Sequence, residues 1–133
     1  MSAYDADQRR FLAEHTQAVL ATGRRDGSPQ LSTVVYAVDG DDVIVSTKSY
    51  TAKWKNALRQ PNVALLVNDG RRQLVVYGVA RPIEADPERA ELTARVFEAM
   101  SGDAVAPESI IPMLREQKRT ILRITASRVL MND

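Results

Sequence analysis

AVLATGRRDGSPQLSTVVYAVDGDDVIVSTK, residues 18–48, decides the fold. Ala18–Arg24 reads as a strand, the Asp-Gly pair within Arg25–Pro29 supplies a tight turn, and Gln30–Val38 alternates as the returning strand. A second turn, Asp39–Asp42, leads into VIVSTK, Val43–Lys48, so three strands follow one another with only a few residues between them. Parallel strands would need a crossover of a dozen or more residues at each step, so this is an antiparallel meander.

Working outward, Asp5 followed by Gln8 reads as a capping box opening a short helix that carries Phe11 and Leu12 across one end of the sheet. Downstream, STKSYTAKWKNALRQP, Ser46–Pro61, leaves the third strand and enters a short basic helix stopped by Pro61 and Asn62. Val63–Asn68 is a buried strand, DGRR a tight turn and Gln73–Ile83 a long strand in which Gly78 marks a bulge or a close backbone approach. Asp86 and Pro87 read as the N-cap and first-turn proline of a helix, Glu88–Met100, with Leu92, Val96 and Phe97 on one stripe. Ser101–Pro107 is then a loop, Glu108–Lys118 a short helix interrupted or begun near Pro112, and Arg119–Met131 a closing strand. Six strands in hairpin order with one short inserted helix predict a mostly β protein, a six-stranded antiparallel barrel, closed or nearly so.

A chain of 133 residues is expected to form one domain, 1–133, burying about two thirds of its unfolded surface and sharing one site between cofactor and substrate. Hydrophobic content of 44% and charged content of 26% lie in the ordinary globular range. No apolar run approaches the ~20 residues needed to cross a bilayer, and MSAYDADQRR lacks the pattern of a signal peptide, so a cytoplasmic protein without a membrane partner is expected. With no cysteine, thiolate catalysis, disulfides and iron–sulfur ligation are closed. Net charge of +1 does not make a phosphate-tracking surface, so no nucleic-acid partner is expected.

Charge is nonetheless uneven. Between Val43 and Asn68 stand Lys48, Lys53, Lys55 and Arg59 and no acid. Ser46 and Thr47 end the third strand, Ser49 or Thr51 can cap the helix, and Lys53 falls in its first turn, so hydroxyls, amides and an ammonium could converge on a phosphate or carboxylate. The same spacing also suits a solvated face of Lys53, Lys55 and Arg59 with Trp54, Ala57 and Leu58 packed inward, and the pattern leaves both readings open. Gln30, Ser32, Val34 and Tyr36 share one face of the second strand, which would suit a planar heteroaromatic ligand or a half-exposed sheet. His15, the sole histidine, sits where a helix end favours a cation and is read as structural. G-x-S-x-G, G-x-G-x-x-G and Walker patterns are absent, so triad hydrolysis and Rossmann or P-loop nucleotide binding have no support.

Leu20–Thr22, Asp26–Ser32, Val43–Thr47, Ala52–Asn56, Arg59–Val67 and Tyr77–Ala80, in this order, resemble the pyridoxamine 5'-phosphate oxidase-like FMN-binding split β-barrels. Within them the chain looks most like the short flavin/deazaflavin oxidoreductases that use coenzyme F420. The resemblance implies a homodimer with the cofactor at the subunit interface and a small-molecule substrate. It makes Lys53 the phosphate-binding lysine, Ser46, Thr47, Thr51 and Lys55 neighbours of that phosphate or of the cofactor tail, and Gln30, Ser32 and Val34 the lining of the ring system. Many relatives place an arginine one or two positions before the lysine; Thr51 and Ala52 stand there instead, with Lys48 or Lys55 as compensating cations. The substrate segment of pyridoxamine-phosphate oxidase proper has no counterpart in Ile124–Asp133. The implied activity is hydride transfer from reduced F420 to an unsaturated acceptor, with no catalytic side chain required and solvent, Tyr36 or Tyr77 supplying the proton. An FMN flavoprotein or a non-enzymatic cofactor-binding protein are the alternatives.

Overall fold

The computed structural model describes residues 2–132. Helix α1 (Ala6–Ala13) precedes strands β1 (Gln17–Gly23), β2 (Pro29–Asp39) and β3 (Asp42–Lys48); helix α2 (Ala52–Arg59) separates them from β4 (Asn62–Asn68) and β5 (Gln73–Ile83). Helices α3 (Glu88–Ser101) and α4 (Pro107–Gln117) lead to β6 (Arg119–Asn132). The six strands close into an antiparallel barrel in the order β1-β2-β3-β6-β5-β4. The expected meander is its first half, and β6 closes it by pairing with both β3 and β5.

Alternation explains the core. Leu20, Val34, Tyr36, Val43, Val45, Leu65, Val67, Leu74, Val76, Leu122 and Ile124 fill the barrel interior. A second cluster, Ala37, Ile44, Ile83, Leu92, Val96 and Ile121, lies outside the barrel beneath α3. That is why β3 is buried from Val43 to Thr47 without a break: one face meets the interior and the other meets α3. Arg123 ties the β2–β3 turn to β6, its Nε and Nη2 each donating at 2.7 Å to Asp42 and Asp39.

Asp5 and Gln8 form the reciprocal capping box, at 2.8 and 2.9 Å. Both readings of Gly78 hold: the β5–β6 register shifts between Tyr77 and Gly78, and a Cβ at Gly78 would stand 2.6 Å from the Thr125 carbonyl oxygen. Two helix readings are corrected. Pro87, not Asp86, occupies the α3 N-cap, and the Asp86 carboxylate reaches past it to the Ala90 amide at 3.1 Å while pairing with Arg89 at 2.7 Å. Helix α4 begins at Pro107, where a proline replaces an amide that has no helical partner anyway, and it continues past Pro112, which lies in its interior.

Candidate functional site

The carbonyl of Lys48 organises the passage from β3 into α2. It accepts from the Thr51 amide at 3.2 Å and from the Thr51 hydroxyl at 2.8 Å. Thr51 therefore sits at the N-cap but does not cap: its hydroxyl is turned back to the strand and lies 3.3 Å from that of Thr47. The start of α2, the positive end of its dipole, carries no side-chain cap and no acid in its first turn.

Against this helix start lies a cavity of about 360 Å³ on the outside of the barrel, bordered by Ser46, Thr47, Lys48, Thr51, Lys53 and Arg119, with Thr33, Val35 and Tyr50 at its side. Three cations converge on it, and none of the three is ion-paired to a carboxylate among the described residues. Arg119 is held by donating from Nη1 to the Ser46 hydroxyl at 3.2 Å and from Nε to Gln117 at 2.7 Å, with Phe97 6.0 Å away. No Asp, Glu or His among the described residues borders the cavity. Its lining is electropositive, a chemistry that suits an anion.

Of the residues singled out in the sequence, the fold brings Lys53, Thr51, Ser46 and Thr47 together here. Val34 also borders the cavity, but at 4% exposure its side chain belongs to the barrel core. Lys55 is not a neighbour of Lys53: two positions on a helix turn the side chain by about 200°, and Lys55 faces a separate trough with Arg24, Arg25 and Arg59. The cations of α2 thus form neither one site nor one uniform solvated face. Leu58, expected to pack inward, is 47% exposed.

Gln30 and Ser32 lie outside the Lys53 cavity. They end a hydrogen-bond chain that keys α2 to the barrel: Arg59 donates to Asn56 at 3.1 Å, Asn56 to Thr22 at 3.2 Å, Thr22 to Gln30 at 3.1 Å and Gln30 to Ser32 at 2.9 Å. With Trp54 and Ala57 buried on the same helix, this chain fixes where Lys53 stands. The face of β2 that meets the cavity is the opposite one, through Thr33 and Val35, because the even-numbered residues turn into the interior. Tyr36 is fully buried, its hydroxyl donates to the Leu12 carbonyl at 2.6 Å, and burial pushes its pKa up, so it cannot deliver a proton to this cavity. Tyr77 is exposed but borders a different groove, with Ala21 and Ala64. His15 donates from Nδ1 to the Phe11 carbonyl at 2.7 Å, a helix-end role.

Sequence reasoning missed Arg119. It lies 66 residues beyond Lys53 in the sequence and reaches the cavity only because β6 pairs with β3, placing Arg119 opposite Lys48. It supplies from the far end of the chain the guanidinium that Thr51 and Ala52 do not.

A model of the family described as pyridoxamine 5'-phosphate oxidase matches residues 4–133. The chain belongs to that family. Among solved structures, this pyridoxamine 5'-phosphate oxidase family member is similar to a conserved hypothetical protein from Mycobacterium tuberculosis, with 28% identity and a TM-score of 0.85 over 98% of this chain and 84% of that one. It is similar to an F420 reductase with 24% identity and a TM-score of 0.75, covering 96% and 98% of the two chains. It also resembles HutZ, a heme storage protein of Vibrio cholerae, with 20% identity and a TM-score of 0.71 over 98% and 94%. At such identities the last two show the fold alone. The family barrel is thus shared by proteins named for quite different ligands, and function has to be argued from the cavity.

Among the described residues no group of three or more His, Asp or Glu side chains is placed to hold a metal ion, and no helix is long and apolar enough to cross a membrane.

Proposed function

We propose that this protein is an F420H2-dependent reductase that transfers a hydride from the reduced deazaflavin to a small unsaturated organic acceptor. One observation carries the reading: a preformed cavity with three cations that have no carboxylate partner among the described residues, hydroxyls and an uncapped helix start, and no carboxylate or histidine among the described residues beside it. A site that binds and orients but has no catalytic dyad is what a hydride-carrying cofactor needs, since the cofactor supplies the redox chemistry.

Lys53, Lys48 and Arg119 would hold the phosphate, with the Thr51 hydroxyl beside it. Thr33, Val35 and Tyr50 form the wall along which the rest of the ligand would lie. The Arg59-to-Ser32 chain keeps α2 from shifting as the ligand is drawn in. With no carboxylic acid or histidine among the described residues bordering the cavity, the product takes its proton from solvent or from the Tyr50 hydroxyl in the cavity wall.

The homodimer belongs to the same reading. Two cross-strand rows on the outside of the barrel, Leu31–Ala21–Ala64–Tyr77 and Thr33–Val19–Leu66–Val75–Leu130, are uncharged over this span, the first meeting the exposed Arg128 where it reaches β6. Leu31 is 65% exposed and Tyr77 43%. A monomer rarely leaves so continuous an apolar face to water. Thr33 lies both in these rows and in the wall of the Lys53 cavity, so a second copy seated on them would also border the cofactor.

The second reading is an FMN flavoprotein, which the compact cavity favours equally, because one phosphate satisfies it. The test is turnover: purified protein, reduced F420 and a panel of enones, quinones and nitro-compounds, followed by reoxidation of the cofactor. Acceptor-dependent reoxidation that is weakened in Lys53→Ala supports the proposal; reduction driven only by reduced FMN refutes it. Light scattering on the same sample reads the dimer, and Leu31→Glu should shift it to monomer.

A further inference from the structure

Helices α3 and α4 reach the Lys53 cavity through Arg119. That residue opens β6 directly after Lys118, the one non-glycine residue with a positive φ among the described residues, 55°, whose carbonyl accepts from the Ser49 amide at 2.8 Å. Pairing of β6 with β5 stops at Ile83 and Ile121, so Arg119 has a strand neighbour, Lys48, on one side alone. Its carbonyl accepts instead from Nη1 of Arg89 at 3.1 Å. Arg89 is buried on α3, and Asp86 holds the rest of its fork, Nε at 3.0 Å and Nη2 at 2.7 Å. At the other end of Arg119, Nε donates to Gln117 of α4 at 2.7 Å, with the Phe97 ring of α3 6.0 Å from the guanidinium.

We propose that Arg89 and Gln117 are positioning residues that preset the Arg119 guanidinium at the Lys53 cavity, Arg89 through the Arg119 main chain and Gln117 through its side chain. The inference rests on the reading of that cavity as an anion site. A free arginine gives up its rotamer freedom when it takes an anion, whereas one already held has little left to lose. The hold occupies Nε and one hydrogen of Nη1, the latter on Ser46, and leaves the other Nη1 hydrogen and both on Nη2 for a ligand. The end of the fork is thus the part offered to a phosphate, in the geometry that permits two parallel hydrogen bonds.

Stability alone does not account for the buried Asp86–Arg89 pair, since apolar side chains of the same volume commonly stabilise a packed layer as well. What the pair supplies is a fixed donor at the Arg119 carbonyl. A lysine at position 89 would satisfy the charge of Asp86, but only a planar fork can hold Asp86 with Nε and Nη2 while Nη1 reaches the carbonyl. The α3–α4 hairpin, which otherwise only covers the outside of the barrel, then becomes part of the anion site.

The experiment titrates ¹⁵N-labelled protein with inorganic phosphate at low salt, reading the amides of Ser46, Thr51 and Lys53 and the Nε–H of Arg119. Gln117→Leu alters an exposed side chain and Arg89→Lys keeps the ion pair with Asp86, so both variants should fold. Each should weaken phosphate about two- to fivefold, from the cost of immobilising one loosened arginine side chain, and each should lower the heteronuclear NOE at Arg119 Nε. Placed in an Arg119→Gln background, neither should weaken phosphate further. Equal loss with and without Arg119, or no loss in either variant, overturns the proposal. If phosphate binds while F420 and FMN do not, the cofactor reading falls and the same titrations still decide the positioning roles. If wild type takes up no phosphate, the anion reading fails by itself; an Arg119 Nε that is rigid in wild type and loosened in both variants still upholds the hold on Arg119, and one that is mobile in wild type overturns it.

Discussion

Lys53→Ala should weaken cofactor binding about 5- to 30-fold. Among the described residues Lys53 has no carboxylate partner, so its ammonium is available to contact a ligand phosphate. A charge-assisted hydrogen bond contributes about 1.5–3 kcal/mol, and the half-buried position at the cavity rim calls for a discount toward the surface value, leaving about 1–2 kcal/mol. Arg119→Gln should cost less, about three- to tenfold, because its guanidinium is already partly engaged by Ser46 and Gln117. If both act on one phosphate, the double variant should lose less than the product of the two single losses, since the remaining cation takes up part of each role. Fluorescence titration supplies the affinities, and a ring compound lacking the phosphate is the control that neither substitution should affect. Thermal unfolding of Lys53→Ala should match wild type. Unchanged affinity, or an equal loss on the phosphate-free compound, refutes the placement of the anion.

Gly78→Ala should lower the melting temperature by several degrees, because the new methyl group would meet the Thr125 carbonyl within the β5–β6 pairing rather than a side chain that could move aside. Tyr36→Phe should cost about 1–2 kcal/mol in urea unfolding by leaving the Leu12 carbonyl only its long 3.5 Å bond from the His15 amide, and turnover should persist in the folded fraction. Asp86→Asn should destabilise the protein at neutral pH. The hydrogen bond from Arg89 holds the Asp86 carboxyl below its ordinary value, so its contribution is complete above the unfolded pKa of about 3.9 and is lost as pH falls through the lower folded value. Chemical unfolding at pH 7 and at pH 3 should accordingly show the gap between variant and wild type narrowing on the acid side.

The barrel was legible because turn chemistry and period-2 alternation are local. Asp-Gly between residues 18–24 and 30–38 forces a hairpin, and Gly78 announces its own close approach. What alternation cannot give is which face turns inward when both are mixed. Gln30, Ser32 and Val34 sit on the face that enters the barrel, and the deciding fact is the packing of α3 over Ala37 and Ile44 on the other side, a contact with residues some 50 positions away in the sequence. Lys53 was legible because the strand end, the hydroxyls and the helix start are contiguous. Lys55 opens on the other side of α2 from Lys53 because nearness in sequence is not nearness on a helix, and Arg119 was invisible because only the β3–β6 pairing brings it in. Thr51 carried a half-correct signal: it holds the cap position, but its hydroxyl spends its proton on Lys48, which leaves the helix start without a side-chain cap.

The central claim is that the Lys53 cavity holds the phosphate end of a deazaflavin. Parallel fluorescence titrations of the purified protein with F420 and with FMN test it most directly. The account predicts saturable F420 binding in the micromolar range or tighter, preferred over FMN and weakened in Lys53→Ala. Tight FMN binding with none for F420 would contradict it.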